Sequence, residues 1–63
     1  MKIQTVGPQT VVSQGGDSLI IEPYGDHEVQ LYRVVEELTG ATLALEFGSR
    51  REATEWAQAH IAS

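Results

Sequence analysis

The sequence predicts a small α+β domain in which an antiparallel sheet of three or four strands is followed by one C-terminal helix packed on one face. Two observations carry this prediction. Apolar residues first alternate, as on one face of a strand, at Leu43, Leu45 and Phe47. Within a few residues the apolar spacing becomes helical, at Ala53, Trp56, Ala57, His60 and Ile61. A strand therefore ends, and a helix begins, near residue 49.

The N-terminal third of the chain predicts a hairpin. Residues 10–13 and 18–22 are β-branched or aliphatic runs, and Gly15-Gly16 between them tolerates the positive φ of a tight turn. Residues 2–6 are either a further short strand or part of a flexible arm over residues 1–8, since Gly7-Pro8 separates them from the hairpin. Residues 23–26 predict a loop, because proline ends strand pairing and glycine permits a bend.

Residues 28–38 fit either a helix or a strand. Helical spacing is present at Leu31, Val34, Val35 and Leu38. Against a helix stand the β-branched and aromatic residues, which fit a pleated surface better: Val29, Tyr32, Val34 and Val35. We favour the strand, because the polar segment 36–41 carries Gly40 where a hairpin loop needs a left-handed residue.

The length of that loop decides which residues share a face. With two or four loop residues, Tyr32 and Val34 join the face that carries Leu43, Leu45 and Phe47, while Arg33 lies with Glu46 on the other face. With three loop residues, Arg33 lies among core side chains. An unpaired buried charge costs several kcal/mol, so we prefer the even-length loop.

The preferred register leaves apolar residues on the second face of the sheet. We expect these residues to form a protein interface, because they are too many for a freely solvated surface: Val29, Leu31, Val35 and Ala44. Either the N-terminal hairpin folds over this face, or another chain covers it. A free strand edge is a second possible contact site.

The helix is predicted from residue 50 to about residue 62. Ser49 and Glu52 have the spacing of a capping box, in which the serine hydroxyl accepts from the Glu52 amide and the Glu52 carboxylate reaches back to the Ser49 amide. The face toward the sheet carries Ala53, Trp56, Ala57 and Ile61. Its small alanines allow close approach to the sheet.

Composition narrows the possible functions. The 63 residues predict a single domain with a thin core, so self-association is a common route to added stability. The absence of cysteine excludes disulfides and thiolate metal sites. No secretion signal or membrane-length apolar run occurs, so we expect a cytoplasmic protein without membrane contact. A net charge of −5 opposes direct binding to nucleic acid.

No pattern in the sequence predicts catalytic, cofactor-binding or metal-ligating residues, and we expect a non-enzymatic protein. Asp26-His27-Glu28 is the one cluster suited to acid–base or metal chemistry, yet adjacent loop residues rarely converge on one ion, and a solvated turn explains them. His60 suits the helix C-terminus. None of the serines lies in a nucleophile elbow, and Gly15-Gly16 lacks the rest of a phosphate loop.

Residues 31–35, Thr39-Gly40 and residues 43–56 together resemble the sheet-then-helix end of the arm-type DNA-binding domain of phage integrases. The resemblance covers about the last half of the chain and implies a hairpin followed by a capped helix. In that family a three-stranded sheet rich in Lys and Arg lies in the major groove. Here the sheet offers Arg33 alone beside glutamates, so the resemblance supports the topology and not DNA binding.

The function predicted from the sequence is therefore protein–protein interaction, as a homodimer or as an accessory subunit. The alternative is an acidic inhibitor, or a nucleic-acid-mimicking protein of a phage or mobile element. Its carboxylates are spread along the chain: Asp17, Glu22, Asp26, Glu28, Glu36, Glu37, Glu46, Glu52 and Glu55. The spread is typical of a solvated surface.

Overall fold

A computed structural model describes residues 1–63 as five strands and one helix. The elements are β1 (Lys2–Val6), β2 (Gln9–Gln14), β3 (Asp17–Gly25), β4 (Gln30–Glu36), β5 (Thr42–Phe47) and α1 (Arg50–Ala62). The strands form one antiparallel sheet in the order β1-β2-β3-β4-β5, so each strand pairs with its neighbours in sequence. The α+β class is confirmed. The strand count is five rather than three or four, because residues 2–6 pair with β2 instead of forming an arm.

Two short turns connect the first three strands. Val6 lies opposite Gln9, and Gln14 lies opposite Asp17, so each turn has two residues. The first residue of each turn has a positive φ, 59° at Gly7 and 62° at Gly15, which glycine adopts without strain. The predicted hairpin is confirmed. The N-terminal hairpin extends the sheet sideways and does not fold over its second face.

Strand β3 continues through Pro23, where the sequence predicted a loop. Pro23 lies opposite Tyr32 of β4, and the strand ends only at Gly25. On the other side of β3, the pairing with β2 ends where Thr10 lies opposite Ile21. Proline is tolerated where one side of a strand has no neighbour, because no ladder hydrogen bond is then lost. The expected loop is therefore wrong, and the true turn lies after Gly25.

The strand interpretation of residues 28–38 is confirmed by β4. The Glu36 amide donates to the Ala41 carbonyl at 2.8 Å, so four residues lie between this bonded pair, as the even-length loop requires. Tyr32, Leu43 and Phe47 pack, as predicted, against the buried core to which Val34 belongs.

Strand β5 departs from the predicted alternation. Its register against β4 shifts twice, on either side of the pair Val34 and Ala44. Glu46 has a φ of 67°, a left-handed conformation that is unusual for a residue with a side chain. Leu45, which alternation placed in the core, is 55% exposed. A bulge that adds a residue to one strand has this effect, because it breaks the two-residue period.

Helix α1 closes one face of the sheet. It begins at the predicted cap, where the Ser49 hydroxyl accepts from the Glu52 amide at 3.2 Å, although the reciprocal bond from the Ser49 amide to the Glu52 carboxylate is not formed. Ala53 and Ala57 are fully buried, and Trp56 and Ile61 pack at the margin of the core. The helix packs across β2, β3, β4 and β5 and does not contact β1.

The buried core is small, as expected for a chain of this length. Its apolar members are Val12, Leu19, Ile21, Val34, Ala53 and Ala57. Burying a side chain such as Ile21 stabilises the fold by roughly 1.5–3 kcal/mol. Thr10 is the one buried polar residue, and its hydroxyl accepts from the Arg50 guanidinium at 3.1 Å. Arg50 also donates to the Pro8 carbonyl at 2.8 Å, which ties the start of the helix to the first turn.

Candidate interaction surface

The face of the sheet opposite α1 carries a straight apolar row. Val11 of β2, Ile20 of β3 and Val35 of β4 lie directly opposite one another across three neighbouring strands. Each of them is half-buried, although no element covers this side. Gln4 of β1 and Thr42 of β5 end the row at the two edges of the sheet. We call Val11, Ile20 and Val35 the apolar row, and the face that carries it the open face.

The four residues predicted to form the interface are only partly brought together. Leu31 and Val35 lie on the open face, with Arg33 between them on the same strand. Val29 lies outside β4, in the β3–β4 loop, and is 54% exposed. Ala44 lies directly opposite Val34, so its register position belongs to the side covered by the helix. The bulges in β5 cause this change of side, because they shift the alternation on which the prediction relied.

Two members of the apolar row, Val11 and Ile20, were not among the predicted interface residues. The signal that could have found them is the consecutive apolar pairs in β2 and β3, where Val11 precedes Val12 and Ile20 precedes Ile21. Successive strand residues point to opposite faces, so each such pair places one apolar side chain on each face. The N-terminal hairpin thus supplies part of the open face.

A polar row lies next to the apolar row. Glu22 of β3 accepts from the Arg33 guanidinium at 2.6 Å and from the Gln9 side-chain amide at 3.2 Å. The Arg33 guanidinium also lies over the Tyr24 ring, 5.3 Å from its centroid. The Arg33 and Glu22 side chains are 39% and 24% exposed, and an ion pair still open to solvent contributes little to stability. These contacts hold a charged cluster in place beside the apolar row.

The Asp26-His27-Glu28 cluster forms a self-contained turn. The Asp26 carboxylate accepts from the amides of Glu28 and Val29, both at 3.0 Å. The Val29 and Glu28 hydrogen bonds lower the pKa of the Asp26 carboxyl below its ordinary value, because they favour its charged form. A carboxylate that accepts two local amides acts as a turn-stabilising group. Nowhere in the chain do three or more His, Cys, Asp or Glu residues group as they would around a metal ion.

A cleft and two carboxylates lie at the end of the molecule that contains the helix C-terminus. A shallow cleft of about 220 Å³ lies there, lined by Asp17, Ser18, Leu19, Glu36, Leu38, His60, Ile61 and Ser63. Leu38 is 86% exposed, the most exposed large apolar side chain of the protein. His60 stacks on Trp56 with ring centroids 4.8 Å apart. Two carboxylates and a helix C-terminus make this end electronegative.

The cations are dispersed over the molecule. Arg33 pairs with Glu22 on the open face, and Arg51 pairs with Glu55 at 3.7 Å on the exposed side of the helix. Arg50 holds the first turn, and its guanidinium lies 5.0 Å from the centroid of the Tyr32 ring. Lys2 stands on β1.

Comparison of the chain with models of protein families, with curated proteins and with solved structures finds no match. No helix of the protein combines the length and the apolar character needed to cross a membrane.

Proposed function

We propose that this protein is a small non-enzymatic protein–protein interaction module, which self-associates or serves as an accessory subunit. The observation that carries the proposal is the apolar row on the open face. Three aliphatic side chains lie side by side on a surface that no part of the chain covers. Contiguous apolar surface of this kind, bordered by polar residues, marks interaction sites in other proteins.

The contact surface in this proposal consists of the apolar row together with Leu31. The Glu22–Arg33 pair lies between Leu31 and the row and would set the orientation of the bound protein, since complementary charges across an interface contribute more to specificity than to affinity. Val29 and Ala44, which the sequence added to this set, lie in the β3–β4 loop and opposite Val34. They have no part in the proposed contact.

A cytoplasmic location belongs to the same proposal. It is supported by the absence of cysteine, since small exported domains commonly depend on disulfides.

The test is a lysine substitution in the middle of the apolar row. Ile20→Lys places a charge where the bound protein would bury Ile20, and Ala59→Lys on the exposed side of the helix is the matched control. Each chain is expressed with an affinity tag in its own cells, and the mass of the purified particle is measured by light scattering. We expect the wild type and Ala59→Lys to form the same particle, heavier than the 6.9 kDa chain. Ile20→Lys should lose it while remaining folded by circular dichroism.

Two results would contradict the proposal. One is a wild-type chain that is isolated only as the 6.9 kDa species, without a stoichiometric companion. The other is a wild-type particle that Ile20→Lys leaves unchanged.

The electronegative end supports a second candidate function, that of an acidic inhibitor or nucleic-acid mimic. Asp17 and Glu36 line the same cleft, and Glu37 follows directly, its amide bonded to the Ser18 carbonyl at 3.1 Å. A basic groove on another protein would meet three carboxylates there. The double variant Glu36→Gln with Glu37→Gln separates the two functions. Mimicry predicts binding that is salt-sensitive and lost in this variant, whereas docking through the apolar row predicts little change.

A further inference from the structure

The first strand presents an unprotected edge. All five residues of β1 are exposed, with Ile3 at 47% and Val6 at 50%, and α1 does not reach the strand. In a two-residue hairpin the residues that flank the turn exchange both backbone hydrogen bonds, and bonded pairs then alternate along the ladder. Val6, Gln4 and Lys2 therefore bond to β2. The amides and carbonyls of Ile3 and Thr5 point away from the sheet.

The opposite edge is protected. Strand β5 carries two register shifts, and Glu46 takes a left-handed conformation. The Glu46 amide donates to the Tyr24 hydroxyl at 2.9 Å, so it is not free to join a ladder. Bulges twist an edge away from regular pairing and are a known protection against strand addition. The β1 register, by contrast, is unbroken from Lys2 to Val6.

Charge also distinguishes the β1 edge. Residues 1–16 contain none of the nine carboxylates, which all follow from Asp17 onward. The remaining chain holds these nine carboxylates and three arginines. Two copies of a protein with a net charge of −5 repel each other least where no carboxylate lies close. Strand β1 carries no carboxylate, and β2 separates it from β3, which carries Asp17 and Glu22.

We propose that a second copy of this chain adds to the β1 edge in an antiparallel, two-fold symmetric pairing centred on Gln4. In this register Ile3 lies opposite Thr5 of the second copy, and Thr5 lies opposite Ile3 of the second copy. Both pairs use the outward-pointing amides and carbonyls, so four backbone hydrogen bonds form without a change in the monomer. Antiparallel pairing of β1 with β1 of a second copy stops at a dimer, because the two-fold symmetry occupies the same edge on both copies.

The dimer has one continuous sheet of ten strands, a number that follows from the five strands of each copy. Both helices lie on the same side, because the two-fold axis is perpendicular to the sheet. Gln4 lies opposite Gln4 of the second copy, and Gln4 ends the apolar row of its own copy. The two apolar rows therefore become collinear on the open face, which doubles its length. The inference goes beyond the proposed function, since the edge does not depend on the open face being occupied.

The test is a proline at an outward-pointing position. Thr5→Pro removes a donor that the monomer leaves free, and proline is tolerated on an edge strand when its nitrogen faces solvent. Thr5→Ala keeps that donor and is the matched control. Sedimentation equilibrium of the purified chain should give at least twice the 6.9 kDa chain mass for the wild type and for Thr5→Ala. Thr5→Pro should raise the dissociation constant roughly tenfold or more, because each dimer loses two backbone bonds.

A second measurement keeps the proposal testable if Thr5→Pro does not fold. Amide exchange of the wild type is followed by NMR at a concentration where the dimer predominates. Ile3 and Thr5 should exchange as slowly as Gln4, whose amide is bonded within the monomer. The proposal is overturned by a wild type that remains monomeric up to millimolar concentration, by a dimer that Thr5→Pro leaves intact, or by fast exchange at Ile3 and Thr5 beside a protected Gln4.

The variants Ile20→Lys and Thr5→Pro distinguish the open-face contact from the β1-edge dimer. Loss of association in Ile20→Lys with none in Thr5→Pro overturns the edge dimer and supports the open face. Loss in Thr5→Pro with none in Ile20→Lys does the reverse.

Discussion

The two faces of the sheet are made from the same kinds of residue, yet only one of them is closed by a helix. Each of the three central strands carries an apolar doublet of a single residue type: Val11-Val12, Ile20-Ile21 and Val34-Val35. One member of each doublet, Val12, Ile21 or Val34, is fully buried under α1. The other member is half-buried in the apolar row of the open face.

The doublets show that the position of a side chain in the sheet, and not its residue type, sets how deeply it is buried. Within a doublet the residue type, strand and neighbouring sequence are the same, and burial alone differs. The buried members, Val12, Ile21 and Val34, lie on the side where the helix packs through Ala53 and Ala57. The apolar row has no such partner within the chain. Side chains in the apolar row stabilise the monomer less than their buried neighbours do, and this difference is the basis of the contact that we propose for the open face.

We expect the largest difference in the free energy of unfolding between alanine variants of the two isoleucines, Ile20 and Ile21. Ile21→Ala should destabilise the fold by about 3–4 kcal/mol, since it removes a fully buried side chain and leaves a cavity. Ile20→Ala should cost about 1 kcal/mol, because Ile20 is half-exposed in the monomer. Urea unfolding of the monomer measures both. Equal costs for the two variants would mean that the faces do not differ as described.

Substitutions in the core and on the open face should also differ in how strongly they weaken association. Trp56→Ala removes the contact with the Phe47 ring, 6.1 Å away between centroids, and should destabilise the domain by about 3 kcal/mol. Leu31→Glu on the open face should weaken association while costing less than about 1.5 kcal/mol of stability. Urea unfolding and light scattering of both variants check this prediction. If the two variants lose stability and association in parallel, the separation into core and contact face is wrong.

We expect a smaller change in stability from a substitution at Glu46 on the bulged strand β5. Glu46→Gly should stabilise the protein by up to about 1 kcal/mol, since glycine adopts a φ of 67° without the strain of a side chain. Thr42→Gly on the same strand is the control, and it should destabilise by about 1 kcal/mol, because no positive φ is relieved there. Thermal unfolding compares them. Destabilisation in both variants would rule out strain at Glu46.

We expect the smallest change in stability in the β3–β4 turn, where it depends on the ionisation of Asp26. The lowered pKa of Asp26 means that its carboxylate stabilises the turn above its unfolded pKa, and that this contribution is lost as the pH falls through the folded pKa. The loss therefore occurs below about pH 4, the ordinary range of an aspartate. A carbon-13 titration should place the Asp26 carboxyl lower in the folded chain than in the urea-unfolded chain. The same midpoint in both would contradict the hydrogen bonds to Glu28 and Val29.

Much of the fold could be predicted from the sequence because local signals agree with the tertiary structure. The Ser49 cap, the helical spacing through Ile61 and the glycine turn at residues 15–16 each specify one conformation. The even-length β4–β5 loop followed from the cost of burying Arg33, and the structure places that side chain on the open face, paired with Glu22.

The parts that failed depend on distant residues. The continuation of β3 through Pro23 requires knowing that the pairing of β3 with β2 stops at Ile21, and Pro23 itself carries no sign of this. The bulges around Ala44 and Glu46 lack a glycine that would mark them. The face of each doublet is set by the helix, which packs from far along the chain. Of the four residues predicted for the interface, Leu31 and Val35 lie on the open face, and their role in a contact stays a prediction.

The most direct test of the open face as a contact surface is the mass of the particle that the protein forms in its own cells, compared between the wild type and Ile20→Lys. We predict a wild-type particle heavier than the 6.9 kDa chain, and a folded Ile20→Lys chain that no longer enters it. A wild type found only at 6.9 kDa, or an Ile20→Lys chain that enters the same particle as the wild type, would contradict this prediction.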